Sequence, residues 1–302
     1  GTELHVHEVI RKLGYAPNLA ARSMRSERTH IIGLIMPDIA GAYAREIMLG
    51  VNRAIAESEY GLLLFTTGDV RKHGTATDEQ QYASMLGNSV TDGILIVAPV
   101  TEEFSIETPI VSIDPVMAHP GYPTIHATNY EGALEAMSYL IGLGHRRISF
   151  IAGRPELESA VRRLKGYRDA LAQAGIEIDE SLILPGDFTT ETAEVCARRL
   201  FDSDNPPTAI FAANDQSAIG VYHVAEERGL SIPKDISIVG FDNLPEAAYL
   251  NLTTVDQFLS EMGYQAAKTL FQLIDGKPLE KQIQKMPTRL VVRGSCREIK
   301  AV

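Results

Sequence analysis

From His30 onward the chain alternates between two kinds of hydrophobic pattern. Short runs dense in Ile, Val and Leu, bounded by turn residues, predict buried parallel strands at Ile31–Met36, Leu62–Thr66, Gly93–Val97 and Ile110–Ile113. A second series follows at Arg147–Ala152, Ala209–Ala213 and Ile236–Gly240. Between the runs, apolar residues recur at helical spacing. Ile47, Val51 and Ile55 share one face, as do Leu164, Tyr167 and Leu171. Thr189 or Thr190, with Glu191 and Glu194 close behind, signals a helix start. Strand–helix–strand units of this kind build doubly wound sheets.

The pattern runs twice, once from Ile31 and once from Arg147. The stretch between, "DPVMAHPGYPTIHATN", carries three prolines and reads as a break. The expected fold is therefore α/β, with two similar doubly wound parallel-sheet lobes and a ligand cleft between them, meeting near His126–Asn129. By pattern alone, the late helix Leu259–Ile274 and the final strand Thr288–Arg293 fit either lobe. We assign residues 29–128 and 258–286 to an N-terminal lobe, and 129–257 and 287–302 to a C-terminal one. Residues 1–28 stand apart.

In open α/β sheets, ligands bind beyond the carboxyl ends of the strands. The polar residues just past each strand are Asp38, Asp114, Asn214, Asp215 and Asp242. Asx residues in such places also cap turns and helices, and Asp38 and Asp215 have that look.

Composition narrows the class. At 302 residues, 45% of them hydrophobic, the chain is long enough for two packed lobes. No apolar run is long enough to cross a bilayer, and no signal sequence opens the chain, so no membrane partner and a cytoplasmic location are expected. Two cysteines, Cys196 and Cys296, give no disulfide framework. Net charge is −11, which argues against a body that clings to nucleic acid. Residues 1–30 differ: five Lys and Arg against three Glu give +2, so the remainder carries −13.

Several chemistries lack their signatures. Gly142-Leu143-Gly144 precedes a strand rather than opening a helix, so it is no dinucleotide loop. There is no phosphate loop and no Gly-x-Ser-x-Gly elbow. His5 and His7 do not share a helical face, and His119 and His126 have no ligand cluster at metal spacing. No cofactor, no metal and no enzymatic activity are expected.

One feature resists the globular reading. The segment "YAPNLAARSMRSERTH" is basic, Ala-rich and without an apolar face, yet it leads into the first strand. Together with "IIGLIMPDI", "LGHRRISFIAG", "RRLKGYRDAL", "GDFTTETA", "TAIFAANDQSAIG", "GLSIPKDISIVGFDN", "LTTVDQ" and "PTRLVVRGS", it resembles the LacI-type (lactose/purine/ribose repressor) family of bacterial transcription regulators. The motifs occur in family order. The match begins late: "TELHVHEVIRKLGY" is similar to the last helix of the family's DNA-binding headpiece, without the helix-turn-helix before it. We expect a truncated chain, with the leading Gly1-Thr2 left over from cloning.

The resemblance implies a periplasmic-binding-protein-like effector core preceded by a short hinge helix that lies in the DNA minor groove. Asn18 would cap that helix, Arg22 and Arg25 would reach phosphates, and Met24 stands where the family has a wedging leucine. So short a helix is marginal in water. It would order only when a homodimer, possibly a tetramer, presents two copies on operator DNA. Lobe movement on ligand binding would then control it.

For the cleft, the resemblance implies Tyr43, Asp114, Ser159, Arg163, Phe188, Asn214 and Asp242 as effector-binding residues. Arg163 begins the family's Arg-x-x-Gly-Tyr, while Arg162 beside it reads as solvated. The segment Ala40-Gly41-Ala42-Tyr43 departs from the family's usual Ser-Asn-Pro-Phe. One Arg with two Asp and one Asn favours a neutral sugar or polyol over a phosphate, which two carboxylates would repel. The expected function is a transcriptional regulator, in the sense of a repressor, responding to such an effector. A transport-type soluble sugar-binding protein is the rival, although it has no use for a basic helical arm. An enzyme on a doubly wound sheet is the other.

Overall fold

The computed structural model describes residues 28–68, 75–87, 89–117 and 120–299, with His5 before them. The hinge residues Asn18, Arg22, Met24 and Arg25 lie outside the described residues, as does His119.

The first lobe opens with β1 (Ile31–Met36), α1 (Ala42–Ala56), β2 (Gly61–Thr66), α2 (Thr75–Gly87), β3 (Gly93–Val97), β4 (Ile110–Ile113) and β5 (Thr124–Ala127). The second holds α3 (Asn129–Gly142), β6 (Ile148–Ile151), α4 (Glu158–Gln173), β7 (Ile183–Leu184), α5 (Thr190–Phe201), β8 (Ala209–Ala212), α6 (Asp215–Glu227), β9 (Ser237–Asp242), α7 (Pro245–Tyr249) and β10 (Thr253–Asp256). The chain then returns to the first lobe for α8 (Leu259–Ile274) and β11 (Ile283–Met286), and ends on β12 (Arg289–Val291) in the second.

Each sheet has six strands, ordered β11-β5-β4-β3-β1-β2 and β12-β10-β9-β8-β6-β7. Every pairing is parallel except β10 with β12. Such an antiparallel edge strand is common on an otherwise parallel sheet. Central strands are buried on both faces, which explains their unbroken apolar runs. Ile32, Leu34, Leu95 and Val111 form one core with α1 and α8. Ile35, Ile94 and Ile96 point to the opposite face, against α2. Helices α1 and α8 cross with backbones nearly touching. A Cβ on Gly50 would lie 1.7 Å from the Ser260 carbonyl oxygen, so only glycine fits there.

Four strands escape the hydrophobic pattern. β5 lies inside the proline-rich stretch read as a break, because Pro123 precedes the strand without entering it. β7 has only two residues. β10 is largely Thr and Asp, and β11 is a half-exposed edge strand. β9 also runs two residues further than expected, so Asp242 closes the strand instead of following it.

Between the lobes the chain crosses at Thr128, at Gln257–Phe258 and at Pro287–Thr288. Two of these crossings are zipped together. Thr128 N–H donates to Met286 O (2.9 Å), Thr288 N–H to Thr128 Oγ1 (2.9 Å), and the two hydroxyls lie 3.0 Å apart. The third holds Phe258 at φ 56°, its N–H donating to Asp256 Oδ1 at 2.8 Å. No helix among the described residues is long and apolar enough to cross a membrane.

Candidate effector cleft

Between the lobes, at the carboxyl ends of the strands, lies a cleft of about 710 Å³. Its volume falls in the range of small-molecule sites. All seven sequence-expected residues line it.

The second lobe supplies a fixed polar cluster. Arg163 sits one turn along α4 and is 3% exposed. Its Nε–H donates to Asn129 Oδ1 (2.9 Å), Nη1 to Ala213 O (2.6 Å) and Nη2 to Gln257 Oε1 (3.4 Å). The guanidinium lies 3.7 Å over the Phe241 ring and 5.7 Å from that of Phe188. Three of its N–H groups are thus committed to protein, which fixes the plane of the fork. Nη1 is also 3.6 Å from Asp242 Oδ1, and that same oxygen accepts from Gln257 Nε2 at 2.5 Å. Asp242 Oδ2 takes no hydrogen bond from the described residues. Burial pushes the Asp242 carboxyl up to about 7, against the pull of Arg163 and Gln257. Arg163 is pressed down by the same desolvation, opposed by Asp242 and Asp114. A buried pair of this kind stabilises the fold little, so its presence at a cleft wall suggests a binding role.

Asn214 and Ser159 are buried at the cleft edge. Asn214 has a structural task first. Its Oδ1 caps α6 by accepting from Ser217 N–H (2.9 Å), and its Nδ2 donates to Phe188 O (3.1 Å). One amide hydrogen remains for a ligand. The Ser159 hydroxyl bonds to none of the described residues. Phe188 stands at φ 70° with its ring against Gly153, where a Cβ would lie 2.0 Å from the ring.

The first lobe offers less. Tyr43, at the start of α1, donates through its hydroxyl to Asp114 Oδ2 at 3.3 Å. Asp114 directly follows β4 at φ 50°. Burial raises the pKa of both groups, the Asp114 shift being opposed mainly by Arg163 across the cleft. Apolar residues fill much of the rest of this wall, Met36, Val97, Ala98 and Val100 among them, with Asp38 and Arg45 as charged exceptions.

Strain gathers here. Ala98, Asp114, Phe188 and Asp242 line the cleft and all have positive φ without being glycine. Each such residue costs on the order of 1–3 kcal/mol and persists where its surroundings impose it, typically at functional sites. The two aspartates suspected of structural roles both bond within the protein, although Asp38 also lines the cleft. Asp38 Oδ1 accepts from Ala40 N–H (3.0 Å). Asp215 is fully buried, accepting from Thr254 Oγ1 (2.5 Å) and Leu244 N–H (2.8 Å).

Sequence reasoning missed Asn129 and Gln257, which hold Arg163, although both are polar residues close behind strand ends. It also missed the outer wall, where Arg45 and Glu246 reach each other from opposite lobes at 3.2 Å. Arg154, Glu191 and Gln216 line the cleft as well.

Comparison with known proteins agrees with this geometry. Residues 137–296 match a periplasmic binding protein-like domain. The chain is 31% identical over 307 residues to the HTH-type transcriptional repressor CytR of Escherichia coli K12, covering 99% of this chain and 88% of that protein. Among solved structures, the transcriptional regulator CelR in complex with cellobiose superposes with a TM-score of 0.79 at 30% identity, covering 96% of this chain and 89% of that one. A LacI family regulator from Enterococcus faecium with bound ribose gives 0.78 at 26% identity, covering 89% and 100%. A strained, charged cleft between two doubly wound lobes, and relatives that are transcription regulators rather than enzymes, lead to one assignment: the chain belongs to the LacI family of transcriptional repressors and contains its effector-binding core.

Proposed function

We propose that this protein represses transcription under control of a neutral sugar or polyol bound in the interlobe cleft. The carrying observation is the buried Arg163, held rigid by Asn129, Ala213 and Gln257 between Asp242 of its own lobe and Asp114 of the other. A fixed fork flanked by carboxylates suits vicinal hydroxyls, which both donate and accept. An aromatic at each side, Tyr43 and Phe188, can cover the apolar face of a sugar ring. The cellobiose and ribose complexes of similar regulators support the same class.

In this reading Tyr43, Asp114, Ser159, Arg163, Phe188, Asn214 and Asp242 bind the effector. Residues 29–128 with 258–286 move as one lobe, and 129–257 with 287–302 as the other. Their rotation changes the spacing of two hinge segments in a homodimer, where Asn18, Arg22, Met24 and Arg25 meet operator DNA. A sugar panel followed by melting temperature tests the cleft. A ligand at about one hundred times its Kd stabilises by roughly 2.7 kcal/mol. Arg163→Ala is expected to abolish that shift. If only phosphorylated or purine compounds raise the melt, the cleft reading is wrong. The DNA reading is tested by operator affinity, with and without the sugar at stated salt, of the chain joined to a helix-turn-helix headpiece.

A further inference from the structure

A second compartment, of about 150 Å³, sits at the crossing between the lobes and shares Asp114 and Ser159 with the cleft. Two helices begin on it: α3 through Asn129, Tyr130 and Glu131, and α4 through Glu158 and Ser159. Neither start has a side-chain cap bond. The first-turn N–H groups of Tyr130, Glu131, Ser159 and Ala160 find no acceptor among the described residues. The helices have 14 and 16 residues, long enough for a full positive N-terminal field.

Side chains add to that field. His126 and Lys285 are register partners on β5 and β11, so they project from one face of the sheet into the compartment. Arg162 enters from α4. Lys285 makes no ion pair with the described residues. Burial presses the His126 pKa down, so it serves first as a neutral N–H donor. Thr124, 2% exposed, also lines the compartment, and its Oγ1 has no hydrogen-bond partner among the described residues. Three carboxylates, Asp114, Glu131 and Glu158, also line the compartment, and each is paired, solvated or weakened. Glu158 is paired to Arg162 at 2.5 Å, Glu131 is exposed, and burial resists charge on Asp114.

We propose that this compartment binds a small oxyanion of the phosphate type, held by the starts of α3 and α4 with His126, Lys285 and Arg162. The ion ties β5 and β11 of the first lobe to α4 of the second, so it acts on the lobe closure that the cleft ligand also uses. The compartment adjoins the cleft, where the Arg163 fork is flanked by Asp242 and Asp114. The oxyanion is either free in solution or the phosphoryl group of a cleft ligand reaching between Asp114 and Ser159.

Calorimetric titration with sulfate and with inorganic phosphate, against chloride at matched ionic strength, tests the free ion. A phosphorylated sugar beside its neutral parent tests the second source. Saturable sulfate or phosphate binding that falls about tenfold or more in Lys285→Met supports the free ion. Binding of the phosphorylated sugar alone, with the same dependence on Lys285, supports the phosphoryl group. Lys285 is exposed, so the variant is expected to melt like the parent in chloride, which separates loss of the ion from loss of fold. If neither oxyanion binds beyond chloride, or if Lys285→Met and His126→Gln bind them as tightly as the parent, the proposal fails. Neutral-sugar binding in the cleft stands or falls separately in the same experiment.

Discussion

The two walls of the cleft are built differently. The second lobe presents a network whose members hold one another. Asn129, Gln257 and the Ala213 carbonyl fix Arg163, Gln257 fixes Asp242, and the Asn214 cap steadies the Phe188 carbonyl. The first lobe presents a more apolar surface, with the pair Tyr43 and Asp114 and, beside it, the charged Asp38 and Arg45. A ligand docked on the second lobe meets preorganised groups and loses little further entropy in ordering them. In the proposed function the first lobe then closes over it, adding the Tyr43 and Asp114 contacts and apolar cover. In that reading, recognition belongs mainly to one wall and closure to the other.

That division can be broken or sharpened by mutation. The largest effect is expected from Arg163→Met. It removes the charged donor from the network and is expected to lower sugar affinity at least 100-fold, about 3 kcal/mol, by calorimetry. Its fold should survive, because Asp242 can take up a proton once the cation is gone.

Asp242→Asn comes next and has a pH signature. A carboxyl raised to about 7 in the folded state, against about 3.9 unfolded, stabilises the fold fully only below the unfolded value. That contribution is lost as pH rises through 7. The asparagine variant should therefore melt higher than the parent at pH 8, by roughly 2–4 °C for each 1 kcal/mol. Its melting temperature should also be flatter between pH 5 and 8, while sugar binding is lost. A parent and variant with parallel pH profiles would show that Asp242 does not carry the buried charge.

Asn214→Ala should cost about 1 kcal/mol of stability through the lost α6 cap, with a smaller loss of affinity, read by melting and titration together. Tyr43→Phe is the weakest of the four. It should leave the melting temperature of the free protein within about 0.5 kcal/mol of the parent and weaken sugar by roughly three- to tenfold. If Tyr43→Phe costs more affinity than Arg163→Met, the walls have exchanged roles.

Legibility varied for physical reasons. The central strands showed in the sequence because burial on both faces demands unbroken apolar runs, as in Ile31–Met36. β10 did not, because Thr253 and Thr254 satisfy their hydroxyls inside the lobe, Thr254 on Asp215 and Thr253 on Arg293 N–H. A buried polar strand looks like a loop until its partners are known. Arg163 was marked by its motif, and Gln257 closed another, but nothing in either motif tied one to the other. Asn129 and Gln257 lie 34 and 94 residues from Arg163 in the chain, and no local pattern records such a contact. The backbone strain at Ala98, Asp114, Phe188 and Asp242 left no sequence signal either, since none is a glycine.

The sequence by itself determined the alternation of strand and helix, its repetition, and the polar residues waiting at the ends of β1, β4, β8 and β9. These follow from local rules: the period of side chains and the solvent each face meets. Only the tertiary structure decided which of those polar residues are spent on the fold and which face the cleft. Asp215 and Asp242 are both buried aspartates at strand or helix ends. One is closed off by Thr254 and Leu244, while the other keeps an oxygen free beside Arg163. Hydrogen-bond partners come from packing across long chain separations, so burial alone does not tell a strut from a site.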